Sequence, residues 1–98
     1  MDRTMTEAEA EWLLAECRRK IDLLDFELRQ LLNQRAEIAR DIVRAKRILG
    51  LPVYQPQREQ QVLRRVTAAN PGPLSSEAIE RIFQSIIREV REHEASES

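Results

Sequence analysis

The sequence predicts an all-α protein with three helices per chain, one very long, one short and one of medium length, assembled as an intertwined helical homodimer. Only two places break the chain, one at Gly50 and the other at residues 70–73. Apolar residues recur at spacings of three and four between these breaks, which is the helical period. The one extended-looking stretch, residues 51–54, is too short to form a sheet. We expect residues 1–98 to form a single domain.

The first helix is expected to run from about residue 6 to residue 49. Thr6 and Glu9 form a capping box at its start. From Leu14 onward its apolar stripe alternates steps of three and four without a slip, as in a coiled coil. Such a helix would be about 65 Å long, whereas a compact domain of this size has a radius of gyration of about 13 Å. The uncovered stripe therefore predicts pairing with a second copy.

Two shorter helices follow the first break. The second is expected over about residues 56–69, because Pro56 is favoured at the first position of a helix. The third is expected over about residues 75–94, with Ser75 as its N-cap. Residues 95–98 are expected to be a frayed tail.

Composition excludes several functional classes. The 16 basic and 17 acidic residues give a formal net charge of −1, so the protein has no overall positive charge to attract nucleic acid or an anionic membrane. Acidic residues also lie within the local basic clusters. No apolar run is long enough to cross a bilayer, and the N-terminus lacks a secretory signal, so we expect a cytoplasmic protein. One Cys and one His supply too few ligands for a zinc cluster, and two Gly residues provide no phosphate-binding loop. No metal site is expected.

Charged residues lie on the apolar faces of all three predicted helices. Arg35 occupies a core position, and Lys46 lies about 20° from it around the helix. Arg58 and Glu59 are in the first turn of the second helix, and Glu94 continues the apolar stripe of the third. Each has an ordinary explanation when taken singly, such as a long side chain that reaches solvent. Together they predict a pocket for a small ligand with carboxylates. If the protein is an enzyme, such a pocket would act by positioning and electrostatics.

Several short motifs combine into one pattern. They are the run Arg18, Arg19, Lys20, Ile21, Asp22, then Asp25, Leu31, Leu32, Arg35, Ala45, Lys46, the turn Leu51, Pro52, Val53, Tyr54, the pair Arg58, Glu59, and the ending Asn70, Pro71, Gly72, Pro73 before Ile82, Phe83 and Ile86. In this combination the chain resembles the all-helical (type II) chorismate mutases over about residues 18–94. The resemblance implies an isomerase of phenylalanine and tyrosine biosynthesis. It would catalyse the Claisen rearrangement of chorismate to prephenate, without a cofactor or covalent intermediate.

The resemblance also implies roles for the cations. Arg18 would bind a substrate carboxylate in the site of the other subunit, and Arg35 would bind a carboxylate within its own chain. Because Arg18 lies about 100° around the helix from Arg35, the two could not easily serve one site from one chain. Lys46 would contact the ether oxygen, on which negative charge grows as its bond to carbon breaks, and also a carboxylate.

The remaining implied site residues lie in the second and third helices. Arg58 would support the charged end of the site, and Glu59 would accept a hydrogen bond from the ring hydroxyl. Glu94 would donate to the ether oxygen when protonated, so we expect a raised pKa and activity that declines as pH rises. Gln55 stands where many members carry Asp, and it caps a helix less well. Val90 stands where a small residue such as Ser is common, and it narrows the pocket.

Two alternatives stay open from the sequence. Isochorismate-pyruvate lyases use the same scaffold and ligand class, although the turn at residues 52–54 and Glu59 favour the mutase. A non-catalytic helical dimer that regulates a larger aromatic-pathway enzyme would not need Arg35, Lys46 and Glu94 together. Another enzyme of the aromatic pathway remains a candidate partner in either case.

Overall fold

The computed structural model describes residues 4–97 and contains three helices. They are α1 (Glu7–Leu49), α2 (Pro56–Thr67) and α3 (Ser76–Glu97). No strand occurs among the described residues. The all-α prediction of one long and two shorter helices is therefore confirmed.

Contacts within the chain divide it into two units, the first ending at Gln34 and the second beginning at Arg35. The first unit consists of α1 up to residue 34 and the residues before it. The second contains the rest of α1 together with α2 and α3. The assignment of all 98 residues to one domain remains a prediction.

The first unit presents a row of apolar side chains. Its helix begins as expected, because the Thr6 Oγ1 atom accepts a hydrogen bond of 3.1 Å from the backbone N–H of Glu9. Leu24, Leu28 and Leu31 repeat at steps of four and three and are 57%, 55% and 59% exposed. These large apolar side chains have the spacing of a coiled-coil seam, and their pairing with a second copy remains a prediction.

The second unit is held together by a small core with one buried residue from each helix. Val43 of α1, Leu63 of α2 and Ile87 of α3 are the hydrophobic side chains buried within residues 4–96. α2 packs against α3. Because this core contains few buried side chains, polar and half-buried residues occupy the space beside it.

Two turns position the helices of the second unit. α1 ends at Leu49. The next residue, Gly50, has a φ of 70° in the left-handed region, and the Leu51 N–H donates a hydrogen bond of 2.9 Å to the Lys46 carbonyl oxygen. α2 begins at Pro56, and the Gln55 side chain makes no capping hydrogen bond. Six residues, 50–55, connect α1 to α2, and the hydrogen bond from the Lys46 side chain to the Val53 carbonyl oxygen links this turn to the last part of α1.

Two predicted boundaries differ from the structure. α2 ends at Thr67 rather than at residue 69, because Ala68 has an extended ψ of 134° and Ala69 a positive φ of 58°. α3 is capped by Ser75, whose Oγ accepts a hydrogen bond of 3.0 Å from the Ala78 N–H. The helix continues to Glu97, beyond the expected end at residue 94; fraying of the last residues remains a prediction, and residue 98 lies outside the described residues. Ala95 favours helix and extends the ladder by a further turn.

No helix within residues 4–97 combines the length and the hydropathy that a membrane span requires.

Candidate active site

A cavity of about 440 Å³ lies within the second unit, between α1, α2 and α3. This volume is in the range of pockets that bind small molecules. Part of the cavity lining is apolar, and most of the rest is charged. The lining residues are Arg35, Ile38, Ala39, Ile42 and Lys46 of α1, Val53 and Gln55 of the turn, Arg58, Glu59 and Val62 of α2, and Ile87, Val90, Arg91 and Glu94 of α3.

Every site residue predicted from the sequence, except Arg18, lines this cavity. The three helices therefore bring together charges that are separated by up to about 60 positions in sequence. Arg18 is an exposed residue of the first unit. Its place in the site of a second copy remains a prediction.

Two cations of α1 project from one helix face. Arg35 and Lys46 are both half-buried, and Ala39 and Ile42 lie between them along the wall of the cavity. The Nζ atom of Lys46 donates a hydrogen bond of 2.8 Å to the backbone carbonyl oxygen of Val53. Because an ammonium group has three N–H donors, two remain for a ligand.

Glu94 of α3 has a raised pKa. Its carboxyl group is half-buried, and this burial, which penalises the charged form, is the main cause of the rise in pKa. Lys46, Arg35 and His93 oppose the rise, and the negative charge of Glu59 adds to it. The Glu94 carboxyl group is therefore suited to hold a proton and to donate it in a hydrogen bond.

Glu59 of α2 is paired with Arg91 of α3, a residue that the sequence analysis missed. The Nη1 atom of Arg91 lies 2.7 Å from both carboxylate oxygens of Glu59. This hydrogen bond is the main reason that the pKa of Arg91 is raised. The guanidinium carbon also lies 4.8 Å from the centroid of the Tyr54 ring. One signal could have found Arg91: it stands four residues after the buried Ile87, on the same face of α3.

The other three predicted residues occupy the rim and wall of the cavity. Arg58 is exposed, and its Nη1 atom donates a hydrogen bond of 2.7 Å to the side-chain oxygen of Gln61. Gln55 is half-buried at the start of α2 and offers an uncharged amide. Val90 is half-buried and extends the apolar wall.

Cations outnumber carboxylates around the cavity. The lining contains four cations, Arg35, Lys46, Arg58 and Arg91, and two acidic residues, Glu59 and Glu94. The Glu59 carboxylate accepts hydrogen bonds from a guanidinium, and the pKa of Glu94 is raised. The cavity therefore favours an anionic ligand, for which guanidinium groups and an ammonium group supply donors. Within residues 4–97, no group of three or more His, Cys, Asp or Glu side chains is placed to hold a metal ion.

A known protein family matches most of this chain. The family model described as chorismate mutase type II matches residues 17–95. The chain belongs to the type II chorismate mutase family. The resemblance drawn from the sequence motifs is thereby confirmed.

Members of this family with similar sequences include bifunctional enzymes. The chain is 42% identical over 77 residues to the bifunctional chorismate mutase/prephenate dehydratase of Neisseria gonorrhoeae, covering 79% of this chain and 21% of that protein. It is 38% identical over 53 residues to the chorismate mutase of Methanocaldococcus jannaschii, covering 54% of each. The chain thus spans about a fifth of the length of the bifunctional relative.

The fold is also that of a solved chorismate mutase. The form II structure of chorismate mutase from Thermus thermophilus superposes with a TM-score of 0.80 at 34% identity, covering 84% of this chain and 93% of that chain. The form I structure gives a TM-score of 0.77 at 35% identity, covering 79% and 96%. The structural likeness to this solved chorismate mutase therefore covers most of this chain.

Proposed function

We propose that this chain catalyses the Claisen rearrangement of chorismate to prephenate, as an isomerase of phenylalanine and tyrosine biosynthesis. One observation carries the proposal. Arg35, Lys46 and Glu94 come from two helices and line a single cavity, and the pKa of the Glu94 carboxyl group is raised. Two cations beside a carboxyl group whose pKa is raised match a substrate that has two carboxylates and an ether oxygen that gains negative charge.

The chemistry follows from electrostatics and positioning. Arg35 presents a planar guanidinium, which binds a carboxylate with two parallel hydrogen bonds and holds the substrate in its folded conformer. As the ether bond breaks ahead of carbon–carbon bond formation, Lys46 and protonated Glu94 donate hydrogen bonds to the ether oxygen. Fixed donors of this kind each contribute about 100-fold or more to the rate. The chain supplies no nucleophile in this mechanism, and the reaction needs no cofactor.

The proposal includes a homodimer in which Arg18 enters the site of the second copy. Support comes from the exposed stripe of α1, where Leu24, Leu28 and Leu31 each have more than half of their surface open. Burial of such a stripe releases about 25 cal/mol for each Å² of apolar surface. A two-fold pair of α1 helices would place the Arg18 of each chain beside the other chain.

The setting that we propose is the cytoplasm, with another aromatic-pathway enzyme as a candidate partner. The bifunctional relatives join a chorismate mutase to a prephenate dehydratase in one protein. An enzyme that acts on prephenate is therefore the kind of partner that this chain would serve.

The test is to incubate the purified protein with chorismate and, separately, with isochorismate. Prephenate, salicylate and pyruvate are then resolved in the products. Prephenate from chorismate alone supports the proposal. Salicylate and pyruvate from isochorismate alone would assign the site to the lyase, and a folded dimer that converts neither compound would assign the chain to a non-catalytic role.

A further inference from the structure

Arg91 is a charged residue of the cavity to which neither the motifs nor the proposed mechanism gives a role. It belongs to α3 and contacts two other segments of the chain, α2 and the turn before α2. Glu59 lies on α2, and Tyr54 lies in the turn that precedes α2. Arg91 therefore connects three segments that meet at one end of the site.

The contacts of Arg91 restrict the Glu59 carboxylate. A glutamate side chain has three rotatable bonds, and a carboxylate held by one hydrogen bond can still pivot. Here the same nitrogen of Arg91 lies 2.7 Å from each of the two oxygens. The Glu59 side chain is only 25% exposed, so water has limited access to replace these bonds. The carboxylate is fixed at the edge of the cavity.

Tyr54 restricts Arg91 in turn. The guanidinium lies over the Tyr54 ring at 4.8 Å, a geometry in which the ring attracts the cation and covers one of its faces. Arg91 is thus held from two sides, by a carboxylate and by an aromatic ring. Glu59 binds its Nη1 atom, and the Tyr54 ring covers one of its faces.

We infer that Arg91 is a positioning residue, which holds the Glu59 carboxylate in the orientation that accepts a hydrogen bond from the ring hydroxyl of the substrate. The inference rests on the proposed function. Each carboxylate oxygen has two lone pairs, so an oxygen that accepts from Arg91 keeps one for the hydroxyl. Arg91 acts through Glu59 and makes no contact with the substrate.

Two other roles for Arg91 make different predictions. A direct ligand of a substrate carboxylate would affect every substrate with that carboxylate. A purely structural clamp between α2 and α3 would change stability and would lower activity toward all substrates alike. Only if Arg91 acts through Glu59 does the loss of activity on replacing Arg91 depend on whether the substrate carries the ring hydroxyl.

The experiment compares chorismate with an analogue in which hydrogen replaces the ring hydroxyl. Both compounds carry the same two carboxylates, so the loss of a positive charge cancels in the ratio of their kcat/KM values. We expect Arg91→Leu to lower this ratio about tenfold, which is the value of one hydrogen bond to a charged group. The loss should appear mainly in the KM for chorismate. If the analogue turns over too slowly, its inhibition constant against chorismate replaces its kcat/KM.

Two further variants make the comparison specific. Arg91→Lys keeps the charge but lacks the planar fork, and it should lower the ratio by a smaller factor. It also preserves the test if Arg91→Leu does not fold. Arg88→Leu is the matched control on α3, because Arg88 is exposed and pairs only loosely with Glu89 at 3.8 Å, and it should leave the ratio unchanged.

The outcomes separate this inference from the proposed function. A wild-type protein that converts chorismate, with a ratio that Arg91→Leu and Arg91→Lys leave unchanged, overturns the inference and leaves the proposed function in place. Equal losses with both substrates overturn it in the same way. A wild-type protein that does not convert chorismate overturns both.

Discussion

The ammonium nitrogen of Lys46 lies 2.8 Å from the carbonyl oxygen of Val53, so the cation near the end of α1 is anchored to the turn that leads into α2. Both residues line the cavity. The side chain of lysine has four rotatable bonds, and one fixed hydrogen bond reduces the entropy that ligand binding must still remove. The turn therefore helps to aim the remaining N–H donors of Lys46 into the site.

Replacement of Lys46 should lower the rate of the chemical step. We expect Lys46→Gln to reduce kcat about 100-fold or more, because a neutral amide cannot supply the positive charge that stabilises the ether oxygen. Steady-state kinetics with chorismate measure the effect. Arg47→Gln is the matched control, since Arg47 is the neighbouring cation of α1 and is exposed outside the cavity. A wild-type kcat for Lys46→Gln would contradict the role of Lys46.

The raised pKa of Glu94 predicts a pH dependence of activity. The protonated carboxyl group donates to the ether oxygen, so kcat/KM should be highest below the pKa of Glu94 and should fall as pH rises through it. Burial places this pKa above the usual value for a glutamate. Glu94→Gln keeps a donor that does not titrate, so its kcat/KM should not show this decline. The measurement is kcat/KM as a function of pH for both proteins, and the same decline in both would remove Glu94 from the mechanism.

The raised pKa of Glu94 also predicts a pH dependence of the free energy of unfolding. Because the pKa of Glu94 is raised in the folded state, the folded chain binds this proton more tightly than the unfolded chain does. Stability from this group is therefore present at acidic pH and is lost as pH rises from the unfolded pKa through the folded pKa. Glu94→Gln should thus gain stability relative to wild type as pH rises over that window, as measured by denaturant midpoints. A constant difference between the two proteins would contradict the raised pKa.

Mixing two inactive variants tests the contribution of Arg18 across subunits. Arg18→Ala and Arg35→Ala should each be inactive as homodimers. In a mixed dimer, one site would contain both substitutions and the other would contain neither. Random exchange of equal amounts should therefore restore about a quarter of the wild-type activity, since half of the dimers are mixed and each has one intact site.

The control for this mixture is the double variant Arg18→Ala/Arg35→Ala mixed with wild type. Its mixed dimers would carry one substitution in each site and should add no activity. If Arg18 served the site of its own chain, the first mixture would stay inactive.

Much of the fold could be predicted because its signals are local. Gly50 and Ser75 mark helix ends through the backbone conformation and the hydroxyl group that those positions require. The end of α2 carries no such signal, because Ala68 and Ala69 are both good helix formers. Pro71 disfavours helical conformations only at Asn70, so it limits the extent of α2 without fixing Thr67 as the last residue.

Site residues could be predicted from the sequence at positions where a charged residue interrupts an apolar helix face. Arg35 and Lys46 stand out because their neighbours on the helix face are apolar. The pairing of Glu59 with Arg91 was missed because it joins residues 32 positions apart, and an arginine on an exposed helix is common. The contact from Lys46 to Val53 involves a backbone carbonyl oxygen, which every residue type offers.

The most direct test of the central claim is the rate of prephenate formation from chorismate by the wild-type protein and by Arg35→Ala. We predict steady turnover by wild type and a loss of kcat/KM of about 1,000-fold in the variant, because Arg35 supplies the guanidinium that binds a carboxylate in the cavity. Circular dichroism should show that both proteins keep their helices. The absence of prephenate with well-folded wild type, or equal rates in the two proteins, would contradict the assignment of this cavity as a chorismate mutase site.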